Sequence, residues 1–349
     1  MAVHPPDLAA ARVAASAWDL PGPVRPVGDP GLINGTWLVG GNGDPAGVLQ
    51  WVNPIFAPEV NRDIHQLTQR LAGCGMPTPR VLPTRDNQLW QPHPTGCWRM
   101  LSFVPGRTLH SLPGTAEALE GGRLVGRFHA ALDGWTAPRH APVRRIHDTP
   151  ARMTDLRAAL EATGDHPLHG DVSRLAEAIL EDWERWSGTV GHPERTCHGD
   201  LKISNLRFEQ CSPRAVCLID LDTVGPMELA CELGDMWRSW CNTAGEDDPE
   251  AVCFDLDIFE ASATGFLEQA PELTSEERRS LVSATTRICL ELAARFAADA
   301  VLNNYFREDR VRFPEVGTHN LRRARAQHNL SRRATQSHRD CARILGTSL

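Results

Sequence analysis

Two polar segments that lie close together limit what this sequence can fold into. HGDLKISN (residues 198–205) brings His, Asp, Lys and Asn together, and VCLIDLD (216–222) ends an apolar run with two carboxylates. The short apolar runs 206–208 and 216–219 flank a turn around Ser212, which predicts a β-hairpin. Such a hairpin would bring Asn205 and Asp220 to the same end.

These residue types suit the transfer of a phosphoryl group. That reaction needs a carboxylate that accepts the proton of the attacking hydroxyl, oxygen ligands for Mg²⁺, and cations near the phosphates. We therefore predict that Asp200 is the base and that Asn205 and Asp220 bind Mg²⁺, a hard cation that prefers oxygen. Lys202, the single lysine of the sequence, lies inside the same segment.

The first third of the chain has the pattern of a small sheet. Two β-rich runs, Thr36 to Val39 and Val48 to Val52, are separated by Gly and Asp and predict a hairpin. A helix is expected from about Glu59 to Ala72, followed by short strands at QLWQP (88–92) and CWRMLSFV (97–104). The turn-rich segment PGRTLHSLPG (105–114) then predicts a boundary.

Helical patterns dominate after that boundary. Thr115 can cap a helix, Val172 to Trp186 form an amphipathic stripe, and Thr274 with Glu277 forms a capping box before a long helix. At 349 residues the chain is long enough for two lobes. We predict an α+β fold with a small antiparallel-sheet N-lobe (1–104) and a larger, mainly helical C-lobe (105–349).

Composition restricts the partners and the compartment. The formal net charge of −8 argues against general binding to nucleic acid or to a membrane surface. The N-terminal segment has no basic and apolar leader pattern, and no apolar run is long enough to span a bilayer. Ten cysteines are scattered without a CxxC pair, which indicates a reducing cytoplasm and no zinc site.

The order of residues within HGDLKISN, followed by Asp220 and then by Gly234 and Asp235, resembles the catalytic core of the protein-kinase-like superfamily. Because Gly199 follows the histidine where protein kinases have arginine, the segment is more similar to the aminoglycoside phosphotransferase-like kinases. The resemblance implies a bilobal protein-kinase-like fold and a Lys202 that contacts the γ-phosphate. It also implies that His198 and Asp235 support the loop.

Further segments are similar to the N-acetylhexosamine 1-kinase-like group within that branch. They include LINGTWLV, VLQWVNPIF, GCWRMLSFVPG, RRIHDTPAR, ELGDMWRS and RFAADAVLNNYF, in the same order. This resemblance implies a kinase that uses ATP and Mg²⁺ to phosphorylate the anomeric hydroxyl of an amino sugar. The residues it implies for the acceptor are Asp148, Arg152, Thr223, Arg238, Arg295 and Tyr305.

The residues predicted to bind the nucleotide depart from the general kinase pattern. The strand that carries a phosphate-binding lysine in kinases reads Val-Leu-Gln-Trp here, and Gln50 is the candidate for that position. Asn34 and Gly35 are candidates for a loop that covers the nucleotide. A kinase of another small acceptor, such as an aminoglycoside or amino alcohol, and a nucleotide-binding protein without catalysis both stay open, as do ATP or GTP preference and oligomeric state.

Overall fold

The computed structural model describes residues 4–27, 33–41, 43, 45–143 and 145–348. The chain divides into two compact units. Unit 1 comprises Met1–Thr108, Phe128–Arg144 and Leu206–Asp222, and unit 2 comprises Leu109–Arg127, Arg145–Asn205 and Thr223–Leu349. The lobe boundary predicted after residue 104 stays a prediction.

Unit 1 contains two antiparallel sheets. Their strands are β1 Val24–Pro26, β2 Gly35–Gly40, β3 Pro45–Val52, β4 Val81–Leu82, β5 Gln91–His93, β6 Gly96–Leu101, β7 Arg107–Thr108, β9 Leu206–Phe208 and β10 Ala215–Leu218. The larger sheet has the order β1-β2-β3-β6-β4, with β5 paired to β6, and the smaller has the order β10-β9-β7. Helices α1 (Leu8–Ala15) and α2 (Val60–Gly73) also belong to this unit.

The predicted hairpins are confirmed. Strands β2 and β3 pair with Thr36 opposite Gln50, and β9 and β10 pair with Leu206 opposite Leu218. The turn between β2 and β3 includes Asn42 and Asp44, which lie outside the described residues. An apolar core that includes Trp37, Trp51, Trp98 and Met100 stabilises the larger sheet, since these side chains are almost completely buried.

Unit 2 is mainly helical. Its helices are α3 Thr115–Leu132, which ends in unit 1, α4 Thr149–Ala162, α5 His169–Arg185, α6 Leu229–Trp240, α7 Leu256–Gln269, α8 Ser275–Ser280, α9 Ala284–Leu302, α10 Thr318–Gln336 and α11 His338–Ile344. Strands β8 (Glu194–Cys197) and β11 (Gly225–Glu228) form a separate antiparallel pair. Its core includes Leu156 of α4, Val172 and Ile179 of α5, and Ile288 and Phe296 of α9.

The helix predicted after the capping box differs from expectation. Thr274 and Glu277 form the box, but α8 ends at Ser280 and a 3₁₀ turn (Leu281–Ser283) separates it from α9. The Ser280 hydroxyl donates to the Glu277 carbonyl at 2.7 Å. Such local side-chain bonds compete with a continuous helix, and the long helix begins only at Ala284, nine residues after the start of α8 at Ser275.

Among the described residues, no helix combines the length and the apolar character needed to cross a bilayer.

Candidate active site

The HGDLKISN loop (residues 198–205) gathers three of the predicted functional side chains in unit 2. It follows β8 and ends in a 3₁₀ turn, Ile203–Asn205. The Asp200 Oδ2 atom accepts hydrogen bonds from Lys202 Nζ at 2.8 Å and from Asn205 Nδ2 at 3.0 Å. Asn205 Nδ2 also donates to the Asp200 carbonyl at 2.8 Å. The predicted base, cation and metal ligand are therefore in direct contact.

The bonds within this cluster leave two oxygen atoms available. Both donors reach Oδ2 of Asp200, and Oδ1 accepts no hydrogen bond from the residues that the structure describes. Asn205 is buried and uses its amide nitrogen for both of its side-chain bonds, so its amide oxygen has no donor among the described residues. A carboxylate oxygen and an amide oxygen are what a proton acceptor and a Mg²⁺ ligand require.

Helix α6 holds this loop at three points. The Glu232 carboxylate accepts hydrogen bonds from the backbone N–H groups of His198 at 2.6 Å and Gly199 at 2.8 Å. Ser239 Oγ accepts from the backbone N–H of Ile203 at 3.2 Å, and Trp240 Nε1 donates to the Leu201 carbonyl at 2.8 Å. Bonds to a buried carboxylate are among the stronger ones in proteins.

Sequence reasoning assigned the support of the loop to His198 and Asp235 and missed Glu232. His198 is buried, and its Nδ1 atom accepts from the backbone N–H of Asp200 at 3.3 Å. The carboxylate of Asp235 binds Arg238 at 2.9 Å. The prediction for Asp235 stays a prediction, while the bonds observed from α6 to the loop come from Glu232, Ser239 and Trp240. Its position one turn before Asp235 in a buried helix is the signal that could have identified it.

Gly199 has a conformation that favours glycine. Its φ is +82°, and a Cβ atom added there would lie 2.7 Å from the Thr223 carbonyl oxygen. Thr223, one of the predicted acceptor residues, also donates its hydroxyl to the His198 carbonyl at 2.8 Å. The glycine that distinguishes this loop from that of protein kinases is thus required by close packing.

In unit 1, the predicted metal ligand Asp220 follows β10 in an uncommon backbone conformation. Its φ of +65° lies in the left-handed region, which is uncommon for residues other than glycine, although aspartate enters it more readily than most. Asp222, two residues later, is buried in a 3₁₀ turn, Leu221–Thr223. The surrounding contacts must therefore hold this turn in place.

Arg99 on β6 provides two of those contacts and was missed by sequence reasoning. Its guanidinium forms a two-bond ion pair with Asp222, with distances of 2.5 and 2.8 Å. Both side chains are 1% exposed. Burial opposes the charge, but Asp222, with Asp220 in addition, outweighs it, so the pKa of Arg99 is raised. The signal in the sequence is an arginine inside an otherwise apolar strand.

Two of the three predicted nucleotide-binding residues, Asn34 and Gln50, bond to this ion pair. Asn34 donates to Asp222 Oδ2 at 2.7 Å and accepts from the backbone N–H of Asn53 at 3.0 Å. Gln50 accepts from Arg99 Nε at 2.9 Å and donates to the Thr36 hydroxyl at 3.3 Å. Gly35, the first residue of β2, packs closely enough against Trp37 that a Cβ atom would lie 2.6 Å from its ring.

The start of α4 carries two predicted acceptor residues and is tied to α9. Asp148 caps α4 by accepting from the backbone N–H of Ala151 at 3.2 Å. Arg152, one turn later, pairs with Asp155 at 2.9 Å. The preceding residue, His147, donates its Nδ1–H group to the carboxylate of the buried Glu291 at 2.9 Å.

The pair of His147 and Glu291 is strongly coupled. Burial alone would lower the pKa of His147 and raise that of Glu291, but their mutual attraction and hydrogen bond outweigh it. The pKa of His147 therefore lies above its ordinary value and that of Glu291 below. Asp235 adds to the rise at His147 and Arg295 opposes it. Charges from α6 and α9 therefore act on the residue next to Asp148.

Arg238 and Arg295 have different surroundings. Arg238 is largely buried and pairs with Asp235, and although burial opposes its charge, the carboxylates around it raise its pKa. The Arg295 guanidinium lies 5.4 Å from the ring centroid of Tyr305 and 5.3 Å from that of Phe306, distances typical of cation–π contacts. Tyr305 is 60% exposed.

The turn that carries Tyr305 is anchored by Asp299. Its buried carboxylate accepts from the backbone N–H groups of Asn304 at 2.9 Å, Tyr305 at 3.0 Å and Phe306 at 2.8 Å. The side chain of Asn320 adds a fourth bond at 3.1 Å. Of the six predicted acceptor residues, Arg295 and Tyr305 are the pair whose side chains the structure brings into contact.

Comparison with known proteins identifies the class. A homoserine kinase from Ralstonia nicotianae is 29% identical over 147 residues, and the match spans 41% of this chain and 41% of that protein. Two solved structures are similar over nearly the whole chain. An amicoumacin kinase in complex with AMP-PNP and Ca²⁺ has a TM-score of 0.62 at 12% identity, covering 93% of each chain. A microcompartment-associated aminopropanol kinase has a TM-score of 0.64 at 19% identity, covering 95% of this chain and 98% of that one.

These structural similarities confirm the predicted protein-kinase-like fold. The profile of the phosphotransferase enzyme family (APH) matches residues 24–261, which is more than half of the chain. The predicted class of enzyme is thereby confirmed: the chain belongs to the phosphotransferase enzyme family.

Proposed function

We propose that the protein is an ATP- and Mg²⁺-dependent kinase of a small molecule, and that its acceptor is the anomeric hydroxyl of an N-acetylhexosamine or a related amino sugar. The observation that carries the proposal is the Asp200 cluster, in which one carboxylate oxygen is occupied by Lys202 and Asn205 while the other has no donor among the described residues. Membership of the phosphotransferase family supports it.

In the proposed reaction, Asp200 orients the acceptor hydroxyl through its Oδ1 atom. The hydroxyl oxygen attacks the γ-phosphorus of ATP, a new O–P bond forms, and the bond from the γ-phosphorus to the bridging oxygen breaks to release ADP. Asp200 accepts the proton of the hydroxyl as the bond forms. Lys202 contacts the γ-phosphate and offsets its charge.

Asn205 and Asp220 would hold Mg²⁺ through oxygen atoms. The hairpin of β9 and β10 supports this assignment, because Leu206, the residue after Asn205, pairs with Leu218, two residues before Asp220. When bound, the ion neutralises charge on the phosphates. The available amide oxygen of Asn205 fits a hard, oxygen-preferring cation.

On the donor side, we assign the nucleotide to Asn34, Gly35 and Gln50. Gly35 is included through its backbone at the start of β2, since the space that a side chain would occupy is filled by the ring of Trp37. Asn34 precedes β2 and Gln50 lies in the middle of β3. The side chain of Asn34 is hydrogen-bonded to Asp222 and that of Gln50 to Arg99, which fixes the orientation of both. We therefore assign them the shaping of the nucleotide site.

The amino-sugar acceptor is supported by the residues around α4 and α9. Tyr305 presents an exposed aromatic ring of the kind on which the apolar face of a sugar stacks, and Arg295 lies beside it. Asp148, Arg152, Thr223 and Arg238 add groups that can hydrogen-bond hydroxyls. The charges of Asp235 and Arg295 both act on His147, next to Asp148, which supports a common polar site.

A small amino alcohol is the second candidate acceptor. The relative at 29% identity is a homoserine kinase, and one of the similar structures is an aminopropanol kinase. Both of those acceptors carry an amine and a hydroxyl without a sugar ring. The two candidates differ in whether Tyr305 is needed, since a short amino alcohol has no ring face to stack.

The test is a screen with ATP, Mg²⁺ and a panel of hexosamines, aminopropanol, homoserine and aminoglycosides. Mass spectrometry of the product identifies the acceptor, and ³¹P NMR locates the new phosphate. A hexosamine 1-phosphate as the main product supports the proposal. Phosphorylated homoserine or aminopropanol would replace it with the second candidate, and ATP turnover on none of these acceptors would contradict both.

We also propose a reducing compartment, the cytoplasm, as the location. All ten cysteines have free thiols, and burial raises the pKa of several of them, including Cys97 to about 11 and Cys217 to about 12. Buried thiols of this kind behave as small apolar side chains and resist oxidation.

A further inference from the structure

The ion pair of Arg99 and Asp222 has no part in the chemistry proposed above. It lies inside unit 1, its two side chains are each 1% exposed, and it joins residues 123 positions apart in the chain. Burying such a pair carries a large desolvation cost, and apolar residues of similar size would often be as stable or more so. A buried pair of this kind is therefore weak evidence for a role in stability alone.

The pair is fixed from both sides by neutral side chains. Asp222 receives two bonds from Arg99 and a third, on Oδ2, from Asn34. Arg99 in turn donates its Nε atom to Gln50, which lies opposite it in the register of β3 and β6. The result is a continuous chain of hydrogen bonds from β3 to the turn that follows Asp220.

This arrangement excludes two simpler roles. Arg99 is buried and its guanidinium is committed to Asp222, so it is not placed to contact a nucleotide as the strand lysine of kinases does. The carboxylate of Asp222 accepts three N–H groups across its two oxygens, so it is poorly suited to be a second ligand of Mg²⁺. The pair therefore acts on something next to it.

The neighbouring residue that needs such support is Asp220. It lies two positions before Asp222 and has a left-handed backbone with φ of +65°. A residue in this region keeps its conformation only where its surroundings impose it. Carboxylates that bind metals are commonly oriented by a further layer of hydrogen-bonded residues.

We infer that Arg99 and Asp222 form a positioning pair, which fixes the turn so that Asp220 presents its carboxylate to Mg²⁺. In kinases that have a lysine on the strand corresponding to β3, the ion pair of that lysine with a carboxylate helps to position the site, and here the pair of Arg99 and Asp222 takes that role. This inference rests on the proposed function, because it takes Asp220 as the metal ligand. Arg99 and Asp222 are positioning residues and not catalytic ones.

The test measures metal binding directly and does not depend on the acceptor. Mn²⁺, a paramagnetic substitute for Mg²⁺, is titrated into the protein with saturating AMP-PNP, and free Mn²⁺ is followed by electron paramagnetic resonance. The variants are Asp222→Asn, Arg99→Met and the gentler Arg99→Lys. The matched control is Arg195→Met, which breaks another two-bond arginine–carboxylate pair, between Arg195 and Glu277.

We expect the Mn²⁺ dissociation constant to rise about 10- to 100-fold in Asp222→Asn and Arg99→Met, the usual effect of removing a residue that orients a metal ligand. Arg99→Lys keeps the charge but loses the two-bond geometry, and a smaller rise is expected. Arg195→Met should lower the melting temperature and leave the Mn²⁺ affinity unchanged. AMP-PNP binding without metal, measured by calorimetry, reports any change at Asn34 and Gln50, which bond to the pair, so the Mn²⁺ dissociation constant is compared at saturating AMP-PNP in every variant.

Two results would overturn the inference, and they are distinguishable. If the wild type binds Mn²⁺ with AMP-PNP and folded Asp222→Asn or Arg99→Lys binds it equally well, the pair is only structural. If the wild type itself shows no nucleotide-dependent binding of Mn²⁺, the proposed function fails, and the inference with it.

Discussion

Replacing Glu232 by glutamine tests whether α6 holds the HGDLKISN loop. The carboxylate accepts two backbone N–H groups, at 2.6 and 2.8 Å, and is 1% exposed. A glutamine keeps one acceptor oxygen and turns its NH₂ group toward the second N–H. A charge-assisted bond is then lost and a buried donor is left without an acceptor, at a combined cost of about 2–4 kcal/mol.

The cost is measurable as hydrogen exchange at the two amides. A local destabilisation of about 2–4 kcal/mol corresponds to protection roughly 30- to 700-fold lower at His198 and Gly199. Exchange is followed by NMR or by mass spectrometry of peptides that cover the loop. The matched control is Glu277→Gln, which alters a buried glutamate that serves a different helix start and Arg195.

The reasoning would be refuted by unchanged protection at both amides in Glu232→Gln. Equal losses in Glu232→Gln and Glu277→Gln would also contradict it, because general destabilisation of unit 2 would then explain the effect. A selective loss in Glu232→Gln supports the assignment of this residue as the anchor of the loop.

Three further changes give distinct outcomes. Asp200→Asn should lower kcat about 100- to 10,000-fold while calorimetry finds nucleotide affinity close to that of the wild type, because a general base acts on the transition state; kcat within tenfold of the wild type would remove the role of Asp200. His147→Gln should abolish a pH-dependent part of the stability. The raised pKa of His147 stabilises the fold fully below its ordinary value of 6.5 and less as pH rises through the folded value, while its glutamate partner, with a lowered pKa, stabilises above its ordinary value of 4.5. The difference in melting temperature between the wild type and this variant should therefore be greatest between pH 4.5 and pH 6.5 and become smaller at higher pH. A difference that does not change with pH would contradict the pairing. Gly199→Ala should lose about 1–3 kcal/mol, seen as a lower melting temperature, because it forces a side chain into a left-handed backbone 2.7 Å from a carbonyl oxygen; Gly164→Ala, with open space around it, is the control, and equal melting temperatures for the two variants would refute the argument.

The features predicted well from the sequence are those specified by neighbouring residues. The hairpin of β2 and β3 follows from β-rich runs on either side of Gly and Asp, and the capping box follows from Thr274 and Glu277 three positions apart. The contacts within the HGDLKISN loop are similarly local, since Asp200, Lys202 and Asn205 lie within six positions. Such features need no knowledge of the tertiary structure.

The features missed are contacts between distant segments. Arg99 on β6 and Asp222 in the turn after β10 are 123 positions apart and meet only in the folded unit 1. Glu232 lies 34 positions from His198. A charged residue within an apolar strand or a buried helix indicates that a partner exists, but its identity depends on packing that one sequence does not reveal.

The four bonds that Asp299 accepts have a thermodynamic consequence for the turn that carries Tyr305. Backbone that is already ordered loses little conformational freedom when a ligand binds, whereas a mobile loop pays roughly 1–2 kcal/mol for every residue that it fixes. With three successive N–H groups held by one carboxylate, a ligand that stacks on Tyr305 restricts mainly the torsions of that side chain. The free energy of a stacking interaction there is therefore reduced little by the ordering of the backbone.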